Sequence, residues 1–198
     1  MGRAGWQRRD CSRGGARVAT RAAPTGGPAE AGGGGSWSWG GAGGIGAVGM
    51  SGEGRAKARH YGATDCLIGG DEAVERILEM TGGNGVDHSF EATGNVAVMQ
   101  QAVEVARIGW GLCTILGVAG KGETLDIVPR LLITGRRVQG GSFGGAKGRT
   151  HVPQFVDMYM AGKLDLDGFI SHHLSLDEVM KGFELMEAQD GIRSVITF

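Results

Sequence analysis

From Gly62 onward, apolar and polar residues fall into short blocks that read as strand, helix, strand, helix, strand. Cys66-Leu67-Ile68 predicts a strand. Asp71 to Met80 predicts a helix with Val74, Ile77 and Leu78 on one face, stopped by Thr81-Gly82-Gly83-Asn84-Gly85. Val86 to Glu91 reads as the next strand. Gly94-Asn95 then opens a helix that reaches about Ile108, with Val98, Ala102, Val105 and Ala106 inward. Leu112-Cys113-Thr114-Ile115-Leu116 is apolar apart from one threonine, the pattern of a strand buried on both faces of a parallel sheet. This succession implies right-handed βαβ crossovers.

A further unit follows. Leu131 to Ile133 is a short helical or extended piece, Arg137 to Gln139 a strand, and Gly140-Gly141-Ser142-Phe143-Gly144-Gly145 a glycine-rich loop. Thr150 to Met160 predicts a helix with Val152, Phe155, Val156 and Tyr159 facing in. Ser175-Leu176-Asp177-Glu178 matches a capping box and starts a last helix through Glu187, with Val179, Phe183 and Met186 expected to be buried. Ser194 to Phe198 closes as a strand. The fold class that results is α/β, a Rossmann-like doubly wound parallel sheet.

The chain has a different character before Met50. Residues 1–54 hold 18 of the 40 glycines, six arginines and only three acids, and their apolar residues show neither a 3.6 nor a 2 period. Ordering such a segment costs more entropy than its burial returns. Residues 1–38 are therefore expected to be disordered or aberrant, and residues 39–198 to form one dinucleotide-binding domain. An arginine-rich, acid-poor start also looks like an organelle transit peptide, but serines are few and no amphipathic period shows.

Within this glycine-rich stretch, Gly41-Ala42-Gly43-Gly44-Ile45-Gly46 matches G-x-G-x-x-G ahead of a βα-alternating chain. In that motif the glycines permit a tight turn, close approach of a pyrophosphate and close packing of the following helix. Gly41, Gly43, Gly44, Ile45 and Gly46 are accordingly candidate cofactor-binding residues. The second glycine loop fails the P-loop pattern, because Ala146 separates Gly145 from Lys147 and no Ser or Thr follows. It reads either as a flexible turn or as a strand-end loop whose Gly141, Ser142 and Phe143 backbone groups reach a ligand.

Charge and cysteine count narrow the classes. A net charge of −1 without a basic, aromatic-interleaved face argues against a nucleic-acid partner, and no apolar run approaches the roughly 20 residues of a membrane helix. Cys11, Cys66 and Cys113 are odd in number and far apart, which suits a reducing compartment and denies a C-x-x-C site. The five histidines show no H-E-x-x-H spacing. No residue is assigned as catalytic or as a metal ligand.

Gly62-Ala63-Thr64-Asp65-Cys66, Glu91-Ala92-Thr93-Gly94-Asn95, Gly140 to Thr150 and Gly191-Ile192-Arg193-Ser194-Val195 resemble the cofactor-binding half of zinc-containing medium-chain alcohol dehydrogenases. Phe143-Gly144-Gly145-Ala146-Lys147-Gly148-Arg149-Thr150, with Val152-Pro153 beyond, is most similar to class III, the S-(hydroxymethyl)glutathione dehydrogenases. The resemblance implies NAD as cofactor and an alcohol or glutathione adduct as substrate. It also implies a homo-oligomer in the cytoplasm. By the same resemblance, Leu116-Gly117-Val118 and the backbone of Gly141-Ser142-Phe143 meet the nicotinamide end, and Arg193 meets the pyrophosphate. A guanidinium suits phosphate oxygens; the other reading of Arg193 is a surface arginine capping the last helix.

Two departures accompany the resemblance. Only 15 residues stand between Gly46 and Gly62, too few for the rest of a first helix and a second strand, so the sheet is expected to lack one strand and the carboxylate that holds the adenosine ribose. The family's zinc-bearing catalytic region, which lies N-terminal to the cofactor half, finds no match in this chain. The expected function is thus an NAD-dependent oxidoreductase of which this chain keeps the cofactor-binding half. The alternative is a non-catalytic remnant that serves as a nucleotide-binding or interaction module.

Overall fold

A computed structural model of the chain describes residues 18–22, 44–49, 52–188 and 190–198. The described chain divides into two compact units, one ending at Gly168 and the other beginning at Phe169. The division falls inside the span 39–198 that the sequence reading treats as one domain.

The first unit is built on a six-stranded sheet. In chain order its strands are β1 (Val18–Ala22), β2 (Gly44–Gly49), β3 (Asp65–Ile68), β4 (His88–Glu91), β5 (Leu112–Ile115) and β6 (Arg137–Gly140), arranged β3-β2-β1-β4-β5-β6. That is the 3-2-1-4-5-6 order of a doubly wound dinucleotide fold. β2 runs parallel to β3, and β4, β5 and β6 are parallel to one another, but β1 is antiparallel to both β2 and β4. The sheet therefore lacks one parallel strand, at its centre.

Two expectations change here. Val18–Ala22 lies within the span 1–38 expected to be disordered, yet it forms a strand, because pairing on both sides occupies its backbone groups whatever its side chains bury. The rest of that span lies outside the described residues. Second, the strand neighbouring β3 is not missing. It is β2, and α1 (Gly52–His60) connects it to β3 within the 15 residues after Gly46.

Helices cover both faces. Successive strand residues point to opposite sides, and Leu67 packs on the α2 side while the Cys66 thiol lies 3.5 Å from the Arg55 carbonyl oxygen of α1. α2 (Ala73–Met80) and α3 (Val96–Glu104) thus share the face opposite α1. Between them and the sheet sits the core of Val48, Ala73, Ile77, Val86 and Val105, continued by Ala102, Val103 and Cys113. Full burial of Val86 and Val105 contributes about 1.5 to 3 kcal/mol each. Both helices follow the periodicity of the sequence. α3 ends earlier than Ile108 because Val86 captures its last turn, donating to the Val105 carbonyl at 2.8 Å and accepting from Arg107 N–H at 2.9 Å.

α4 (Pro129–Ile133) precedes β6, and α5 (Gly148–Met160) follows it. The inward face expected for α5 is not found. Val152, Phe155 and Val156 are exposed, and only Tyr159 is half-buried, its hydroxyl donating to Asp167 at 2.8 Å.

In the second unit β7 (His172–Ser175) and β8 (Ser194–Thr197) are parallel, joined through α6 (Val179–Ala188). The Ser175 N–H donates to the Glu178 carboxylate at 3.1 Å, which realises the reciprocal cap read from the sequence. The phase of the helix differs from expectation. Val179, Gly182 and Leu185 are the partly buried stripe, whereas Phe183 and Met186 are exposed. Gly182 decides the phase, since even a Cβ there would stand 3.1 Å from Leu174, the buried residue of β7.

Candidate functional site

In an open α/β sheet the ligand lies outside the carboxyl ends of the parallel strands. β4 ends at Glu91, β5 at Ile115 and β6 at Gly140, and each is followed by a glycine-containing loop. After β4, Glu91 Oε1 accepts the Thr93 N–H at 2.5 Å, the Thr93 hydroxyl at 2.6 Å and the Gly94 N–H at 3.0 Å. Asn95 then caps α3, its Oδ1 accepting from Ala97 N–H at 2.9 Å and Val98 N–H at 3.4 Å. A cap of this kind stabilises a helix by about 1 kcal/mol and fixes where the loop ends.

The loop after β5 lies against the loop after β4. Leu116 and Gly117 donate to the Glu91 carbonyl at 2.7 and 3.1 Å. A Cβ on Gly117 would land on the Gly94 nitrogen and 2.6 Å from Glu91 Oε2, and one on Gly94 would land on the Val118 carbonyl. Gly94 also adopts φ +80°, a conformation that glycine takes without steric cost. Both positions admit only a hydrogen at Cα.

The loop after β6 completes the edge. Gly141 N–H donates to the Ile115 carbonyl at 3.1 Å, and its Cα faces the Leu116 side chain, which a Cβ would meet at 2.6 Å. Ser142–Gly145 then forms a kinked turn in which Phe143 and Gly144 are left-handed, at φ 51° and 63°, with the Phe143 side chain exposed. A bulky residue in left-handed backbone costs on the order of 1–2 kcal/mol. Such strain clusters at ligand sites.

Leu116, Gly117, Val118, Gly141, Ser142 and Phe143 are thus brought together at one edge of the sheet. The described residues of the glycine hexapeptide are not with them. Gly44, Ile45 and Gly46 are the first residues of β2, not a turn, and Gly41 and Gly43 lie outside the described residues. The Ile45 N–H is already given to the Thr64 hydroxyl at 2.9 Å, and its carbonyl accepts the Thr64 N–H at 2.9 Å. Gly44 begins β2 at the opposite end of the strands from Glu91, four residues before Val48, the residue level with Glu91, or about 13 Å at ~3.3 Å per residue. Gly44, Ile45 and Gly46 are strand residues because β1 pairs with all three of them and β3 takes up the other side from Gly46 onward. Beyond β2 the sequence offers no carboxylate before Glu53, which is already in α1.

Arg193 belongs to the second unit. It is exposed, and its carbonyl accepts the Ser171 and His172 N–H groups at 2.8 and 3.3 Å. The residue that sequence reasoning left unassigned is Glu91. An acid closing a strand, followed by Ala-Thr-Gly-Asn at a helix start, was the available signal.

The profile of zinc-binding dehydrogenases matches residues 38–161, more than half of the chain. The chain belongs to the zinc-binding dehydrogenase family. This dehydrogenase-family chain is 46% identical over 143 residues to the class-3 alcohol dehydrogenase of Myxine glutinosa, covering 71% of this chain and 38% of that protein. It is 42% identical over 158 residues to the S-(hydroxymethyl)glutathione dehydrogenase of Paracoccus denitrificans, covering 76% and 42%. It spans about two fifths of the length of these curated relatives. Among solved structures, benzyl alcohol dehydrogenase from Acinetobacter calcoaceticus superposes with a TM-score of 0.72 at 26% identity, over 79% of this chain and 43% of that one. For 2R,3R-butanediol dehydrogenase from Bacillus subtilis the TM-score is 0.63 at 27% identity, over 77% and 43%.

The described residues fit the family's two cofactors unequally. For zinc they do not fit: no group of three or more His, Cys, Asp or Glu among them could hold a metal ion, and Cys66 and Cys113 face opposite sides of the sheet. Burial pushes the Cys113 thiol above its ordinary range, away from the thiolate that a metal requires. For a dinucleotide, the loops after β4, β5 and β6 stand where an open α/β sheet takes its ligand, at the carboxyl ends of parallel strands. The pyrophosphate turn has no counterpart among the described residues. No described helix is long and apolar enough to cross a membrane.

Proposed function

We propose that this chain carries the dinucleotide-binding half of an NAD-dependent alcohol dehydrogenase of class III kind. In that reaction a hydride passes between the nicotinamide and an alcohol or S-(hydroxymethyl)glutathione. The observation that carries the reading is the convergence of the glycine-containing loops after β4, β5 and β6 at the carboxyl ends of parallel strands. Similarity to class-3 and S-(hydroxymethyl)glutathione dehydrogenases supports the substrate class.

In this reading the backbone of Leu116-Gly117-Val118 and of Gly141-Ser142-Phe143 orients the nicotinamide end. NAD supplies the hydride acceptor when bound. The loops exclude water on one side and fix which face of the ring is presented. Arg193 is assigned to the pyrophosphate on the resemblance alone. A cytoplasmic homo-oligomer is proposed on the same ground.

A second reading, a nucleotide-binding or interaction module without turnover, draws on two observations: Gly44–Gly46 lies in a strand, and the described residues assemble no zinc site. Calorimetry with NADH and an assay with NAD and S-(hydroxymethyl)glutathione separate the two. Binding with turnover supports the first; binding without turnover supports the second. Arg193→Ala should weaken binding by about 1.5–3 kcal/mol, the worth of a charge-assisted hydrogen bond. No NADH binding by the native chain would defeat both nucleotide readings.

A further inference from the structure

Glu91 is fully buried, yet its carboxylate meets no cation among the described residues. Oε1 is saturated by three donors from Thr93 and Gly94, while Oε2 is buried with no hydrogen-bond partner among the described residues. That oxygen lies beside Gly117, in the seam where Gly94 and Gly117 touch. Leaving a carboxylate oxygen buried and unpaired is expensive. A side chain needed only to close its own turn could have been a serine or an asparagine, which makes such turns without a buried charge.

We infer that Glu91 is the positioning residue of the crevice, whose carboxylate holds the loop 92–95 in register against the loop 116–118. Its carbonyl receives Leu116 and Gly117 while its side chain receives Thr93 and Gly94, so one residue fixes both loops from the strand end. Oε2 lies against Gly117 at the point where that residue also meets Gly94, so the side chain borders the contact between the two loops. The inference rests on the dinucleotide reading for its functional meaning, but the register itself is a property of the free chain.

Peptide-level amide hydrogen exchange on the full 198-residue chain tests it, comparing native protein with Glu91→Ala and Glu91→Gln. Removing the side chain should speed exchange in both 92–95 and 116–118 by about tenfold or more, the equivalent of one lost hydrogen bond. Residues 137–140 should be unchanged. Glu91→Gln keeps an acceptor for Thr93 and Gly94 but sets an amide N–H2 against Gly117, so it should free 116–118 more than 93–94. That selective pattern decides the matter if Glu91→Ala does not fold. Acceleration confined to 93–94 in either variant would overturn the inference, because the carboxylate would then only close its own turn. In a parallel NADH titration, Glu91→Ala should lower affinity by a similar factor while Glu91→Gln loses less. Absence of NADH binding in the native chain would count against the dinucleotide reading alone, since the exchange pattern of the free chain is read without ligand.

Discussion

Gly94 and Gly117 stand so close that neither can carry a side chain: a Cβ on one would fall on the backbone of the other's loop. This contact joins the loops after β4 and β5 and forms the floor of the candidate crevice. Gly117→Ala should destabilise the chain by about 1–3 kcal/mol, as overpacking against immobile backbone does. Gly94→Ala should cost more, because its φ of +80° adds backbone strain. Thermal unfolding of both variants beside the native chain measures the difference.

Gly44 offers the opposite case. Among the described residues, a Cβ there would meet only the Thr64 hydroxyl oxygen, at an ordinary 3.6 Å. Gly44→Ala should therefore be neutral or slightly stabilising, since alanine loses less backbone entropy than glycine on folding, by about 0.4–1 kcal/mol. NADH affinity should not change. A large loss of affinity with unchanged stability would return the hexapeptide to the site.

The sequence was legible wherever local pattern and tertiary context agree. The β3-α2-β4-α3-β5 run is such a case, because Ile77, Val86, Ala102, Val105 and Cys113 are each buried against sheet or helix as their spacing requires. It misled at the glycine hexapeptide. G-x-G-x-x-G specifies a turn only when a parallel strand precedes it, and here Gly44 and Gly46 lie in β2, which finds partners on both edges. It misled again at α5 and α6. Periodicity gives a helix but not the neighbour that its apolar face will meet, and Gly182 rotated the buried stripe of α6 away from Phe183. Contacts such as Glu91 with Gly117 join residues distant in sequence and leave no periodic trace.

Phe143 stores strain in the loop after β6 at φ 51°. Phe143→Gly should relieve it and raise stability by up to about 1–2 kcal/mol, less the entropy glycine loses on folding. Nucleotide affinity should persist, because the proposed contacts there are backbone. Loss of affinity in a more stable variant would assign the role to the ring.

The Glu178 carboxyl is held below its usual range, first by the Ser175 N–H and then by Lys181 and the Ser175 hydroxyl. A depressed folded value means the cap contributes fully above the ordinary glutamate range of about 4.3 and is lost as pH falls through the folded value. Glu178→Gln should flatten that part of the acid limb of a stability profile. An unchanged limb would show that the cap carries no pH-dependent stabilisation.

Burial pushes the Cys113 thiol up, with a smaller opposing effect from Ser89, whereas Cys66 is only half-buried. In the native chain Cys113 should alkylate more slowly than Cys66 at mildly alkaline pH, and the difference should vanish in denaturant. Equal native rates, followed by mass spectrometry of the labelled peptides, would contradict the buried position of β5.

The most direct test of the crevice is amide exchange of the full chain with and without saturating NADH. Protection should appear together in residues 92–95, 116–118 and 141–144, at the carboxyl ends of β4, β5 and β6, and not in residues 44–49. Protection centred on residues 44–49, with the three loops unchanged, would contradict the account.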